Sequence, residues 1–491
     1  MQERRAIREH IVFFVLCATV LSFLSCERIS GIIKAEDPQR YLILYTNDEH
    51  GHMWEHDGRE KAIILDEMWR DEAQKCPDCI VIKISGGDNY TGSAVSSIFK
   101  GRSMAEAMAE IGYEVSAVGN HEFDYGITEF EQNRAASKMR YVSANIIGKD
   151  TKPVFSPSET IERGGSRISF IGVTTEELRQ VSFSAYLKDI KTVQAFNAVQ
   201  REMRRLHGQT DVVIAIAHQS FESAREWFAA LEPEDRPLLV FNAHTHEEYV
   251  RDVEGTYFVQ AKKYLEKYAR VELLRKKGKF EVIDAKLVTL QDAATSKDTR
   301  TLALRSLINR YLVKMDQVAG TVVIEAENDF PVEKFMKLFT CAALAEYPDA
   351  DVALSNPGAF RDLIRRGEIK VSDLISMLPF ENRVVLSTIP GKDLIYNLNL
   401  SENAVCGMER VNDRWHKGGA PLDPDQRYQA VIHEYVFAGG DYYKFVGPGI
   451  TNQMTGKVWR APLIKYLGSE GKHGATLEMA YNDLMKEYGY K

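Results

Sequence analysis

Short apolar runs alternate with stretches of helical periodicity from Arg40 to about residue 260. The runs are Tyr41 to Tyr45, Ile80-Val81-Ile82, Val115 to Val118, Tyr141 to Ala144, Ile168 to Val173, Val212 to Ala217, Leu238 to Phe241 and Tyr257-Phe258-Val259. Between them, Lys61 to Arg70 and Met104 to Ile111 place apolar residues at helical spacing. Strands this short, separated by helices, predict βαβ units and a largely parallel sheet or layered sandwich. Further on, Leu302, Leu304, Leu307, Ile308 and Leu312 mark one face of a helix between Lys297 and Met315. The pattern divides the chain into a first domain over 40–295, a connecting helix over 296–317 and a smaller second domain over 318–491.

At 491 residues the chain is long for one core, and 44% hydrophobic with 27% charged content is ordinary for a globular protein. A formal charge of −8 without a long basic run argues against binding polymeric nucleic acid. The first 26 residues differ from the rest. Arg4, Arg5 and Arg8 precede an apolar run from Ile11 to Leu24, shorter than the roughly 20 residues of a membrane span. An export signal is the expected reading, with 27–39 as a tether. Phe23-Leu24-Ser25-Cys26 has the form of a loose lipobox, although Leu24 stands where a small residue is usual. The expected protein is exported, periplasmic or at the cell surface, and held to the membrane only through this end, by lipid on Cys26, with ordinary cleavage or an uncleaved signal anchor as the alternatives. Cys76-Pro77-Asp78-Cys79 has no second CxxC to complete a zinc site, so a local disulfide or a free pair is expected. Cys341 and Cys406 read as single structural cysteines.

The chemistry sits where apolar runs end. Asn47-Asp48-Glu49-His50, Gly86-Gly87-Asp88-Asn89, Gly119-Asn120-His121-Glu122-Phe123-Asp124, Ala217-His218-Gln219 and Ala243-His244-Thr245-His246 each follow such a run. In layered α/β folds ligands bind beyond the carboxyl ends of strands. Alone, His218 would be a core histidine and Asn47-Asp48 a turn; all five segments in order point to a metal centre. Asp48 and His50, two apart in an extended chain, face one side and can hold one ion with His246. Asp88 can bridge to a second ion held by Asn120, His218 and His244. Carboxylate, amide and imidazole donors without thiolate suit two divalent ions such as Zn, Mn, Fe or Co. His121, off the metals and oriented by Asp124, is the expected proton donor. His52 and His56 fit no ligand position and read as solvated loop residues.

With these motifs the chain resembles the periplasmic and ecto-5′-nucleotidase family from residue 40 to its end. The resemblance implies an α/β architecture: a four-layer βαβ sandwich carrying the metallophosphoesterase site, followed by a smaller α+β nucleotide-binding domain. It implies that Asp48, His50, Asp88 and His246 bind one metal, that Asp88, Asn120, His218 and His244 bind the other, and that His121 and Asp124 form the catalytic dyad. It implies a base clamped between Phe380, in Leu378-Pro379-Phe380-Glu381-Asn382, and Tyr435. Asp441 would hold ribose, with Asn356, Arg361 and Asn382 completing a pocket for a small nucleotide. The implied activity is that of a 5′-nucleotidase. A cyclic-nucleotide phosphodiesterase, a nucleotide-sugar hydrolase or another phosphoesterase is the alternative, and a non-catalytic surface lipoprotein a third. Four departures stand out. Asn242-Ala243 precede His244, Pro357 interrupts a glycine run, Tyr442 replaces a glycine, and Glu325-Ala326-Glu327-Asn328-Asp329 stands where the family carries arginine. That acidic run would repel phosphate, and Tyr442 would narrow the sugar pocket.

Overall fold

The strand Gln39–Thr46 is the axis of the first domain, buried from Tyr41 onward. It pairs in parallel with Cys79–Ser85 on one side and antiparallel with Lys267–Lys276 on the other. The computed structural model describes residues 38–55, 58–291 and 298–490. The export signal with Cys26, nearly all of the tether, and His56 lie outside them.

Two six-stranded sheets make up the first domain. One runs Lys279–Thr289, Lys267–Lys276, Gln39–Thr46, Cys79–Ser85, Val115–Ala117, Arg140–Val142; the other runs Glu248–Val253, Thr256–Ala261, Leu239–Asn242, Val212–His218, Ser166–Thr174, Ser158–Arg163. The central pairings of both are parallel; the second sheet has an antiparallel strand at each edge, whereas the first is antiparallel on one side only and ends in the parallel strand Arg140–Val142 on the other. Tyr41, Ile43 and Tyr45 point between the sheets onto Phe170, Ile214 and Phe241. Leu42 and Leu44 point the other way, into a layer with Trp69, Met104, Met108 and Ile111. Because both faces are covered, the strands carry continuous apolar runs rather than alternation. Helices Ala195–Leu206 and Phe221–Ala230 cover the outer face of the second sheet, which completes four layers. Fully burying each Leu, Ile or Phe side chain contributes roughly 1.5–3 kcal/mol.

The helix Thr299–Ala319 is capped by Asp298, whose carboxylate accepts the Thr301 amide at 2.9 Å. Leu304, Leu307 and Ile308 pack into the helical layer of the first domain, and Arg305 binds Glu60 at 2.9 Å. Leu302, expected on the same apolar face, is half exposed instead, because the buried stripe is narrower than the apolar spacing suggested.

The second domain is built on a five-stranded mixed sheet, ordered Ala404–Cys406, Val352–Ser355, Arg427–His433, Arg383–Pro390, Thr451–Val458. Val332–Glu346, Ala461–Lys472 and Leu477–Glu487 cover one face, and Gly391–Leu398 the other. Cys341 and Cys406 are not single: they form a disulfide, with Cα atoms 5.0 Å apart, tying helix to edge strand. Their separation of 65 residues gave no sequence cue to the pairing. Cys76 and Cys79 form a local disulfide.

Replacing both Cys341 and Cys406 with Ser removes a long-loop cross-link and is expected to cost about 2–5 kcal/mol in denaturant unfolding. Unchanged stability would show that the link does not constrain the unfolded chain.

Candidate metal centre and its cleft

The metal-ligand candidates are set by backbone that leaves the strands abruptly. Asp48, His50, Asp88, His244 and His246 all have positive φ, between 47° and 79°. Left-handed backbone is uncommon for non-glycine residues and costs of order 1–3 kcal/mol when surroundings impose it. The extended geometry expected for Asp48 and His50 is therefore wrong. Their amides donate to Gly87 O and Asp88 O at 3.0 and 2.9 Å, so the loop after the first strand is laced to the loop after the second.

Two clusters result, Asp48 with His50 and His246, and Asp88 with His218 and His244, each with potential ligand atoms within 4.8 Å of one another. Asp88 Oδ2 lies 3.1 Å from His218 Nε2 and 3.9 Å from His50 Nε2, between the two sets. Asn120 Oδ1 stands 3.2 Å from His218 Nε2. His50 Nε2 and His246 Nε2 face each other at 3.2 Å. His50 Nδ1 is bound to Thr91 O at 2.7 Å and His218 Nδ1 to Gly86 O at 2.9 Å. Backbone carbonyls accept there, so these rings turn Nε2 inward, the usual way of orienting a metal-binding histidine. Inward lone pairs and carboxylates fit cations. Burial disfavours ionisation of Asp88, but His218 and His121 more than offset it. Burial also works against charge on His218, yet Asp88 and Asp48 push it up to about 10. Burial and cationic neighbours push His244 down to about 3.

Glu122 holds this arrangement together, a role its place in the motif did not reveal. Its carboxylate accepts the amides of Asp88 at 2.9 Å, Asn89 at 2.8 Å and Gly119 at 2.7 Å, joining two ligand loops. Gly119 is required here: a Cβ would stand 2.6 Å from the Asp88 amide nitrogen. Beneath lies Glu49, buried, accepting Ser85 Oγ at 3.0 Å and the Thr46 hydroxyl; burial pushes its carboxyl up to about 8. The available sequence signal was a Glu directly after Asp48 and another directly after His121.

His121 Nδ1 is 2.8 Å from Asp124 Oδ2, and its amide donates to Asp88 Oδ1 at 2.7 Å. Burial lowers its pKa, but Asp124 and Asp88 raise it further, so the net direction is upward. The ring stacks on Phe380 of the second domain, centroids 5.6 Å apart.

A cavity of about 230 Å³ opens from the clusters between the domains. Asn356, Arg361, Phe380, Asn382, Tyr435 and Asp441 all line it, together with Asp88, Asn120, His121, Asp124, His244 and His246. Asp48, His50 and His218 are buried behind it. Arg361 Nη2 comes within 3.2 Å of His50 Nε2, at the metal end. Asp441 accepts Tyr435 OH at 2.6 Å and Asn356 Nδ2 at 2.7 Å, and Asn356 Oδ1 meets His433 Nε2 at 3.0 Å. His433, buried on the strand before Tyr435, was not foreseen.

Three further expectations fail. His52 is buried, not solvated, and stacks on Tyr264 at 3.9 Å. The acidic run 325–329 does not face the cleft: Glu327 and Asn328 amides bind Glu478, and Asp329 caps the Arg366 amide. Tyr442 does not narrow the pocket; it is half exposed and donates to Glu177 Oε1 of the first domain at 2.7 Å.

Residues 41–248 match the calcineurin-like phosphoesterase family and residues 317–399 the 5′-nucleotidase C-terminal domain. Curated relatives include protein UshA of Yersinia enterocolitica, 24% identical over 82% of this chain and 86% of that protein. The 5′-nucleotidase of Vibrio vulnificus is 24% identical over 85% and 88%. Among solved structures, a 5′-nucleotidase precursor from Thermus thermophilus superposes with TM-score 0.75 at 20% identity, covering 88% of this chain and 97% of that one. A sulfate thiohydrolase SoxB of Thermus thermophilus shares the fold at TM-score 0.71 and 15% identity, over 88% and 94%.

Glu122→Ala leaves three buried amides without an acceptor, and divalent-ion affinity is expected to fall about 10–100-fold, read by equilibrium dialysis; unchanged affinity would remove its positioning role. Because Asp88 keeps a proton on His218 well above neutrality, loading the metal-free protein at pH 7 is expected to release protons, and apparent affinity to rise with pH. Potentiometric titration showing no release would contradict this proton assignment.

Proposed function

We propose that this member of the 5′-nucleotidase family, a calcineurin-like phosphoesterase domain joined to a 5′-nucleotidase C-terminal domain, releases phosphate from nucleoside 5′-monophosphates. A metal-dependent phosphoester hydrolase is what the two domains make it; the nucleotide is the further step. One observation carries that step: the two candidate metal clusters open into a cavity whose remaining wall holds Arg361, Phe380, Tyr435 and Asp441.

Asp48, His50 and His246 would hold one ion, Asn120, His218 and His244 the other, with Asp88 shared. Bound there, two divalent ions supply an activated water and neutralise phosphoryl charge. The oxygen and nitrogen donors suit Zn, Mn, Fe or Co. Arg361, beside His50, is placed to grip a phosphate oxygen. His121 uses Nδ1 for Asp124, which leaves Nε2 to give its proton to the leaving oxygen. Asp124 stabilises the protonated ring before transfer. Phe380 lies over His121, so the leaving group emerges directly into the space beside the aromatic rings. The Asp441–Asn356–Tyr435 network offers hydroxyl-binding groups for the sugar. Asn382 lines the same wall.

Export with lipid on Cys26 belongs to the same proposal. The two disulfides support passage through an oxidising compartment.

Asp88→Asn is expected to abolish phosphate release from a nucleoside 5′-monophosphate, with loss of bound metal. His121→Ala should lower kcat about 10²–10⁴-fold at unchanged metal content. Full activity in the His121 variant would remove the proton-donor role. Intact-mass analysis of membrane-extracted protein should find a diacylglyceryl Cys26 as the first residue; an unmodified N-terminus would refute the anchor.

A further inference from the structure

The cleft has a third aromatic wall, made by the catalytic domain rather than the nucleotide-binding domain. Val181, Ser182, Phe183 and Tyr186, running from helix Leu178–Val181 into the turn Ser184–Leu187, line the same cavity as Phe380 and Tyr435. Phe183 and Tyr186 meet edge to face at 5.1 Å, and Tyr186 stays 46% exposed although it lines a cavity.

The segment is pinned on both sides. Ser182 Oγ donates to Asn120 O at 3.0 Å, and Asn120 Nδ2 donates to Val181 O at 3.1 Å, so its position is tied to the metal end. Across the cleft, Tyr435 OH donates to Gln180 O at 2.8 Å and Tyr442 OH to Glu177 Oε1 at 2.7 Å. A Cβ on Gly126 would sit 3.6 Å from the Tyr186 ring, so that ring rests on bare backbone two residues after Asp124. Glu381 and Glu434 line the same cavity and act on the Tyr186 hydroxyl, with Lys100 acting the other way and Arg460 3.7 Å from Glu381, whereas Arg361 is its one lysine or arginine among the described lining residues, at the metal end.

We infer that Phe183 and Tyr186 are specificity-determining residues that contact the outer part of the leaving group, and that they select a flat, uncharged ring over a second phosphate. The inference rests on the nucleotidase reading above. It assigns the aromatic segment of the catalytic domain the outer edge of the base, beyond the reach of a single small ring bound over His121. Bases of any identity stack on aromatic rings, and lining carboxylates disfavour an anionic extension.

The test compares adenosine 5′-monophosphate, adenosine 5′-triphosphate and phenyl phosphate on metal-loaded protein, wild type and Phe183→Ala/Tyr186→Ala. The double variant should raise KM for the monophosphate 10-fold or more while kcat, metal content and the kcat/KM for phenyl phosphate stay within 2-fold. Tyr186→Phe should retain wild-type KM. Wild type should prefer the monophosphate over the triphosphate by 10-fold or more in kcat/KM, and Glu381→Gln/Glu434→Gln should narrow that ratio. An equal fall on all substrates would mean a structural role and would overturn the inference, as would no change. A triphosphate used as well as the monophosphate would overturn the charge selection. Turnover of phenyl phosphate with none of either nucleotide by wild type would instead overturn the nucleotidase reading itself.

Discussion

Everything at the centre depends on holding acceptor atoms against one another without a proton donor among most of them. His218, protonated beside Asp88 at 3.1 Å, is the exception; the inward nitrogens of His50 and His246 face each other at 3.2 Å, and buried charge without a partner is costly. The fold supplies the restraint in three ways. Backbone carbonyls fix the His50 and His218 tautomers, Glu122 gathers three amides from two loops, and five candidate ligands are forced into left-handed backbone. Strain at a site persists only when the surroundings over-determine it. Here the surroundings are two sheets buried on both faces.

The sandwich and the gathering of the candidate ligands into two clusters read well from sequence because each depends on local signals. Continuous apolar strands need two covered faces, and Asp, Asn and His immediately after such strands must emerge at one edge. What the sequence concealed was tertiary. The Cys341–Cys406 link joins residues with no local relation. His52 stacks on Tyr264, far away in the chain, so its burial had no periodic signature. The acidic run 325–329 kept its composition but turned its amides to Glu478, so charge alone misplaced it relative to the cleft. The extended reading of Asp48 and His50 failed because the strand ends at Thr46, before either residue.

The cleft belongs to both domains. His121 of one stacks on Phe380 of the other, Tyr264 OH donates to Arg361 O at 2.9 Å, and Ser376 Oγ accepts the Ala94 amide at 2.9 Å. The proposed proton donor, His121, and the aromatic ring proposed to flank the leaving group, Phe380, are thus positioned by one interface. The fold is shared even with a sulfate thiohydrolase neighbour; what differs from one such protein to another at this cleft is set by the side chains that the second domain and the 178–187 segment bring to it.

The central claim, that Asp88 is shared by two ions, is tested most directly by anomalous diffraction from Mn-loaded crystals. The account predicts two peaks about 3.5–4 Å apart, bridged by Asp88, with His50 and His246 on one and His218 and His244 on the other. A single peak, or two peaks with no common carboxylate, would contradict it.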